Sequence, residues 1–170
     1  MLPHDEIIDQ LDDTGAILAP ISRAVLLATG SKNYRLASAL FRTRQGDFIM
    51  FRRAYNKKVF PGLFGAVGGC ALSGETYEEA FTREVSEEVR LNVHNYPWKF
   101  IGYTTPKHDN TFGHVGLYEI ACDHISTYNT DDFAECRLFS FDELAQLCTE
   151  NKEVTHNMPI LFKKFYRPTK

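Results

Sequence analysis

Between Gly69 and Leu91 the chain carries Glu75, Glu78, Glu79, Glu84, Glu87 and Glu88, with Arg83 among them. At ~100° per residue, Glu84, Glu87 and Glu88 fall within about a third of a turn of one helical face, so their carboxylates are expected to converge. Like charges three and four residues apart destabilise a helix by a few tenths of a kcal/mol per pair, roughly. Such a cluster calls for a counter-charge, and a hard divalent cation, Mg²⁺ or Mn²⁺, suits an all-oxygen set that it shares with waters and substrate phosphates. The plain alternative is an acidic run that only solvates a helix. The acids here flank the apolar stripe of Phe81, Val85 and Val89 instead of opposing it, and they follow a glycine-rich turn. That placement favours metal chemistry.

The spacing predicts a helix over Thr76 to Val89, because Phe81, Val85 and Val89 recur every fourth residue. Gly65, Gly68 and Gly69 ahead of it let backbone approach something closely. Tyr34 to Thr43 and Asp47 to Arg52 are rich in strand formers and read as a hairpin about Arg44-Gln45-Gly46. A basic loop follows, with Arg52, Arg53, Lys57 and Lys58 before Pro61-Gly62. Later strands are expected at Trp98 to Thr104, His114 to Ala121 and Cys136 to Phe139. Ser140 and Glu143 form a capping box for a helix through Leu147, and Asn157 to Tyr166 reads as a terminal helix. At the N-terminus, Glu6 to Asp12 suggests a short edge strand. Pro20 to Thr29, closed by Gly30, has the proline-first, glycine-last form of a helix. The whole is mixed α/β.

The segment from Gly69 to Leu91 resembles the signature box of the Nudix hydrolases. The pattern is met by Gly69, Glu75, Arg83, Glu84, Val85, Glu87, Glu88 and Leu91, eight of nine specified positions. Arg90 stands where the family has a glycine that ends the helix in a left-handed conformation, which puts the helix exit in question. The resemblance implies a Nudix-like α/β/α sandwich with a mixed β-sheet. It implies that Glu84, Glu87 and Glu88 hold Mg²⁺ or Mn²⁺, that Arg83 orients the carboxylates and that Glu75 braces loop to helix. The implied reaction is hydrolysis of a diphosphate linkage, the metal neutralising the diphosphate and acidifying a water.

Residues 34 to 91 also resemble the isopentenyl-diphosphate isomerase-like branch of that superfamily, through Tyr34-Arg35, Arg52-Arg53, Lys57, Pro61-Gly62 and the box. Those isomerases use a cysteine where this chain has Gly68, and a histidine where it has Cys70, so hydrolysis is favoured over isomerisation. A non-catalytic nucleotide-binding module is the third option, and the complete glutamate set argues against it. Arg52, Arg53 and Lys57 are candidate phosphate ligands, and Gly68 and Gly69 are candidate backbone contacts to substrate. Cys70 is expected to be a packing residue. His108, Asp109 and His114 are minor candidates for substrate contact, and Asp131, Asp132 and Glu135 for a distal base.

A length of 170 residues with 44% hydrophobic content suits one domain, here 1–170, with 1–33 as an N-terminal extension packed on it. The net charge of -3 offers no overall attraction to a nucleic acid polymer or an anionic membrane. The expected partner is therefore a small-molecule diphosphate, from nucleoside diphosphate derivatives to related organic diphosphates. A homodimer through the N-terminal segment is an option that no residue pattern demands. Four scattered cysteines without a CxxC pair, no signal-peptide pattern and no apolar run of spanning length point to the cytoplasm.

Overall fold

The computed structural model describes residues 5–166. The centre of the sheet is β3 (Arg35–Arg42), where leucines, Phe41 and small residues alternate between two covered faces. β3 turns through Thr43 to Asp47, with Gly46 at φ 92°, into antiparallel β4 (Phe48–Arg53). The pair then splays. Two short strands, β5 (Phe64–Gly65) and β6 (Val67–Cys70), occupy the opening: β5 pairs with β4, and β6 runs antiparallel to the first half of β3. On the other edge of β3 lies β8 (His114–Ala121), parallel to it, flanked by antiparallel β7 (Trp98–Thr104), with the one-turn helix α3 (Pro106–Asp109) between the two in sequence. β9 (Phe133–Phe139) covers β4. The sheet is mixed and seven-stranded.

Both faces are covered by helices. Helix α2 (Tyr77–Val89) packs Ala80, Phe81, Val85 and Val89 against Ala37, Ala39 and Phe41 of β3 and Tyr118 and Ile120 of β8. On the opposite face, α4 (Phe141–Glu150) and α5 (Asn157–Phe165) cover Leu40, Phe48, Met50, Val115 and Leu117. Period-two alternation along β3 thus sends Ala39 and Leu40 to different layers, which produces the expected α/β/α sandwich. Capping boxes start both α2, at Thr76 with Glu79, and α4, at Ser140 with Glu143.

Ahead of this core sits a two-stranded sheet of β1 (Ile7–Leu11) and β2 (Ile17–Ser22), followed by the short helix α1 (Arg23–Ala28). It is tied to the larger sheet by a bridge from Ile8 to Leu72. A buried cluster adds to this, in which Asp9 accepts from Arg35, Ser73 and the Gly74 amide. The sequence expectation of a helix from Pro20 is corrected here: Pro20 lies in β2 opposite Asp9, and the helix begins after Ser22, whose side chain accepts from the Val25 amide. Proline fits an edge strand because its missing N–H faces away from the ladder. β9 likewise starts at Phe133, earlier than Cys136, because β4 offers it a partner as far as Arg53.

Candidate active site

Helix α2 lies over β6, and the contact works because β6 has no side chains at its centre. A Cβ on Gly69 would stand 2.6 Å from Oε1 of Glu84. A Cβ on Gly68, whose φ is 142°, would stand 2.0 Å from the Ala37 carbonyl oxygen. The Gly68 amide donates to Oε2 of Glu88 at 2.9 Å. Two carboxylates one helical turn apart therefore rest on consecutive glycines.

Both carboxylates are electrostatically expensive. Burial raises the pKa of Glu84, against the opposing pull of Arg83. Burial, reinforced by Glu84 and Asp132, pushes Glu88 up to about 8, although the Gly68 amide and Arg53 favour its charge. Glu87 differs: its side chain is 61% exposed and its one ion pair among the described residues, with Nη1 of Arg83, is 3.4 Å long. Arg83 is the organiser, binding Glu75 through Nε and Nη2, Glu84 through Nη1, and the Cys70 carbonyl through Nη2. Glu75 also accepts from the Leu72 amide at 2.8 Å, which fixes the loop to the helix. Among the described residues, no three Asp, Glu, His or Cys side chains already form a metal cage. Glu84 and Glu88 are gathered at the glycines, while Glu87 points outward.

A cavity of about 360 Å³ meets the same glycines. Gly68, Gly69 and Arg53, three of the candidate substrate contacts, line it. Arg52 and Lys57 do not line it, contrary to the expectation that they face substrate. Arg52 is spent on Glu135, Glu153 and the Gly62 carbonyl and stacks over Phe64, while Lys57 is paired with Asp132. Those two cations hold β4, β9 and the following loops together. The candidate distal acids Asp132 and Glu135 are the other halves of these pairs. Asp109 accepts from the Thr105 amide and pairs with Lys164, and His114 is buried beside Gly15. Cys70 is a buried packing residue, its thiol pushed up to about 11 by burial. Sequence reasoning missed Arg23, Lys32, Phe60 and Phe112, which also form the cavity wall. No motif links them.

A family model of the NUDIX domain matches residues 33–158. The chain belongs to the Nudix family. It is a Nudix-type pyrophosphohydrolase. An uncharacterized Nudix hydrolase of Nostoc sp. is 29% identical over 167 residues, 98% of this chain and 99% of that protein. A Nudix hydrolase of Deinococcus radiodurans is 26% identical over 164 residues, 96% of this chain and 95% of its own length. A crystal structure from Deinococcus radiodurans shares the fold at a TM-score of 0.87, with 24% identity, over 95% of this chain and 100% of that one. These Nudix relatives span the whole length, including the β1–β2 segment that precedes the matched domain. Arg90, at the position of the family's helix-ending glycine, takes the left-handed conformation itself, with φ 55° and ψ 30°. The helix therefore exits where a glycine would have ended it.

Proposed function

We propose that this Nudix hydrolase uses Mg²⁺ or Mn²⁺ to cleave the diphosphate linkage of a nucleoside diphosphate derivative or a related organic diphosphate. The observation that carries this is the pair Glu84 and Glu88, two carboxylates held on the backbone of Gly69 and Gly68, glycines that also line the cavity, with too few cations to balance them. A hard divalent ion fits that donor set. Ions of this kind keep several waters and take one or two carboxylates plus substrate oxygens, so a closed three-acid cage is not required beforehand. Glu84 and Glu88 would hold the ion, and Glu87, exposed and weakly tethered, is free to join them.

When bound, the ion supplies charge neutralisation for the diphosphate and acidity for an attacking water. The protein's own part is positional. Arg83 keeps Glu84 oriented by pairing it at 2.7 Å, and Glu75 keeps Arg83 in place. Gly68 and Gly69 give a phosphate side-chain-free access to the acids, with Arg53 beside them. The isomerase alternative loses support at Gly68, because a cysteine there would collide with the Ala37 carbonyl.

We also place the enzyme in the cytoplasm, as a single domain on which the N-terminal extension, described from Asp5 onward, is packed. The unpaired state of Cys70, Cys122, Cys136 and Cys148 supports the reducing compartment. The Ile8 to Leu72 bridge supports the packing. No helix among the described residues is long and apolar enough to cross a membrane.

The test is release of phosphate-containing products from a panel of nucleotide sugars, dinucleotides, oxidised nucleotides and prenyl diphosphates, with and without Mg²⁺. Cleavage should require the metal, and Glu88→Gln should lower kcat by orders of magnitude while the fold persists. Undiminished turnover by that variant, or turnover without any divalent ion, would defeat the assignment.

A further inference from the structure

Residues 33–158 make up the matched domain, yet the cavity is not completed by them. Part of its wall comes from the preceding segment, through Arg23 and Leu27 of α1 and the stretch Gly30 to Lys32. Arg23 borders the cavity along with Gly69 and Cys70, the stretch of β6 that Glu84 abuts from the side of α2. Its backbone is pinned by a 2.8 Å hydrogen bond from the Arg23 amide to the Glu6 carbonyl, and Ser22 caps the helix that it opens.

The guanidinium has donors to spare. Nη1 donates to Glu6 at 2.7 Å, and that is the side chain's one hydrogen bond among the described residues. Among the described residues neither Nε nor Nη2 has a hydrogen-bond partner, and of the two only Nε is sealed from solvent, which leaves Nη2 open to a ligand. The Glu6 pair is 43% and 40% exposed, the kind of contact that contributes little to stability. It does not account for a donor taken out of water and left unsatisfied, which ordinarily is avoided. A planar fork of N–H groups matches phosphate oxygens in pairs, unlike a lysine ammonium. Arg52 and Lys57 are already spent elsewhere, so the cations lining the cavity are Arg23, Arg53 and Lys32, and Lys32 is held over the ring of Phe112.

We propose that Arg23 is a diphosphate-binding residue, and that the N-terminal segment thereby supplies part of the active site from outside the matched domain. This rests on the diphosphate reading given above. The phosphate not held at the glutamates lies against Arg23, and the organic group extends into the apolar remainder of the cavity, toward Phe60 and Phe112.

The probe is methylenediphosphonate, a diphosphate mimic whose bridge is not hydrolysed, titrated calorimetrically in the presence of Mg²⁺. One charge-assisted hydrogen-bonding partner corresponds to about a ten- to hundredfold change in affinity. Arg23→Ala should weaken binding by about that factor, and Arg23→Lys should recover part of it. For whichever substrate the wild type cleaves, KM should rise more than kcat falls, a split that a purely structural role would not produce. If Arg23→Ala does not fold, Arg23→Gln keeps the side-chain stem and serves instead. Binding within twofold of wild type in the folded variant, or no binding by the wild type, would overturn the proposal. Binding that depends on Arg23 in a protein that cleaves no diphosphate would instead uphold this site and sink the hydrolytic reading.

Discussion

Arg83 grips the carboxylate of Glu75 with two nitrogens, Nε at 2.8 Å and Nη2 at 2.9 Å, and so is fixed in one orientation before it reaches Glu84. That bidentate clamp makes Glu75 a positioning residue for the acids on α2 and not one of their number. Loss of a supporting contact behind a metal ligand ordinarily costs about ten- to a hundredfold in activity or metal affinity. Glu75→Gln should therefore lower metal-dependent turnover by about that factor with unchanged circular dichroism. Wild-type kinetics in the variant would show that Arg83 needs no such support.

The approach of Glu84 to Gly69 gives a sharper test. Gly69 lies outside the left-handed region, so alanine is conformationally acceptable there, but its methyl group would sit 2.6 Å from the Glu84 carboxylate. One of the two must move. Because the carboxylate is the more mobile partner, Gly69→Ala is expected to spare stability, with a loss of about 1–2 kcal/mol. Activity should fall much further, by about a hundredfold, since a displacement near 1 Å at a reacting site is costly. Urea denaturation and steady-state kinetics on the same preparation separate the two effects.

How far the residues announced this arrangement depends on the range of the interactions. Helix α2 and the strands Trp98–Thr104 and His114–Ala121 match expectation because hydrophobic period alone specifies them. Pro20 misled because a proline opening a helix and a proline on an edge strand look alike locally, and the deciding partner, Asp9 on β1, is set by tertiary pairing. The positions of Arg52 and Lys57 escaped the sequence for a related reason. Arg52 and Lys57 have the residue types that bind phosphate, but Glu135, Glu153 and Asp132 claim them across the fold. Beyond Gly68, Gly69 and Arg53 the cavity wall was illegible, since Arg23, Phe60 and Phe112 meet only in three dimensions.

The anchoring of the N-terminal hairpin should be readable as a pH dependence. Burial tends to raise the pKa of Asp9, but bonds from Ser73 and the Gly74 amide and the charge of Arg35 outweigh it, leaving the carboxyl below its ordinary 3.8. A depressed folded-state pKa means that ionised Asp9 stabilises the fold above 3.8, and that this contribution fades as the pH falls through the lower folded-state value. Removing one member of a buried ion pair costs about 3–5 kcal/mol. Asp9→Asn should thus be destabilised by about that much at neutral pH. The gap from wild type should narrow in urea melts taken below about pH 4. A gap that stays constant down to pH 2.5 or so would mean that the charge of Asp9 is not what anchors the hairpin.

Arg90 ends α2 with φ 55° and ψ 30°, and its side chain is exposed. For a residue with a Cβ the left-handed region costs about 1–2 kcal/mol, whereas glycine enters it freely at the expense of some additional unfolded-state entropy. The two effects leave a net advantage for glycine of about 0.5–1 kcal/mol. Arg90→Gly should therefore raise the melting temperature by roughly 1–4 °C for a chain of this size. It should leave kcat and KM alone, because Glu87 and Glu88 already sit within the hydrogen-bonded helix upstream of the exit. Differential scanning calorimetry checks the first expectation and steady-state kinetics the second. A fall in melting temperature would show that the arginine side chain stabilises the helix end by more than its backbone conformation costs.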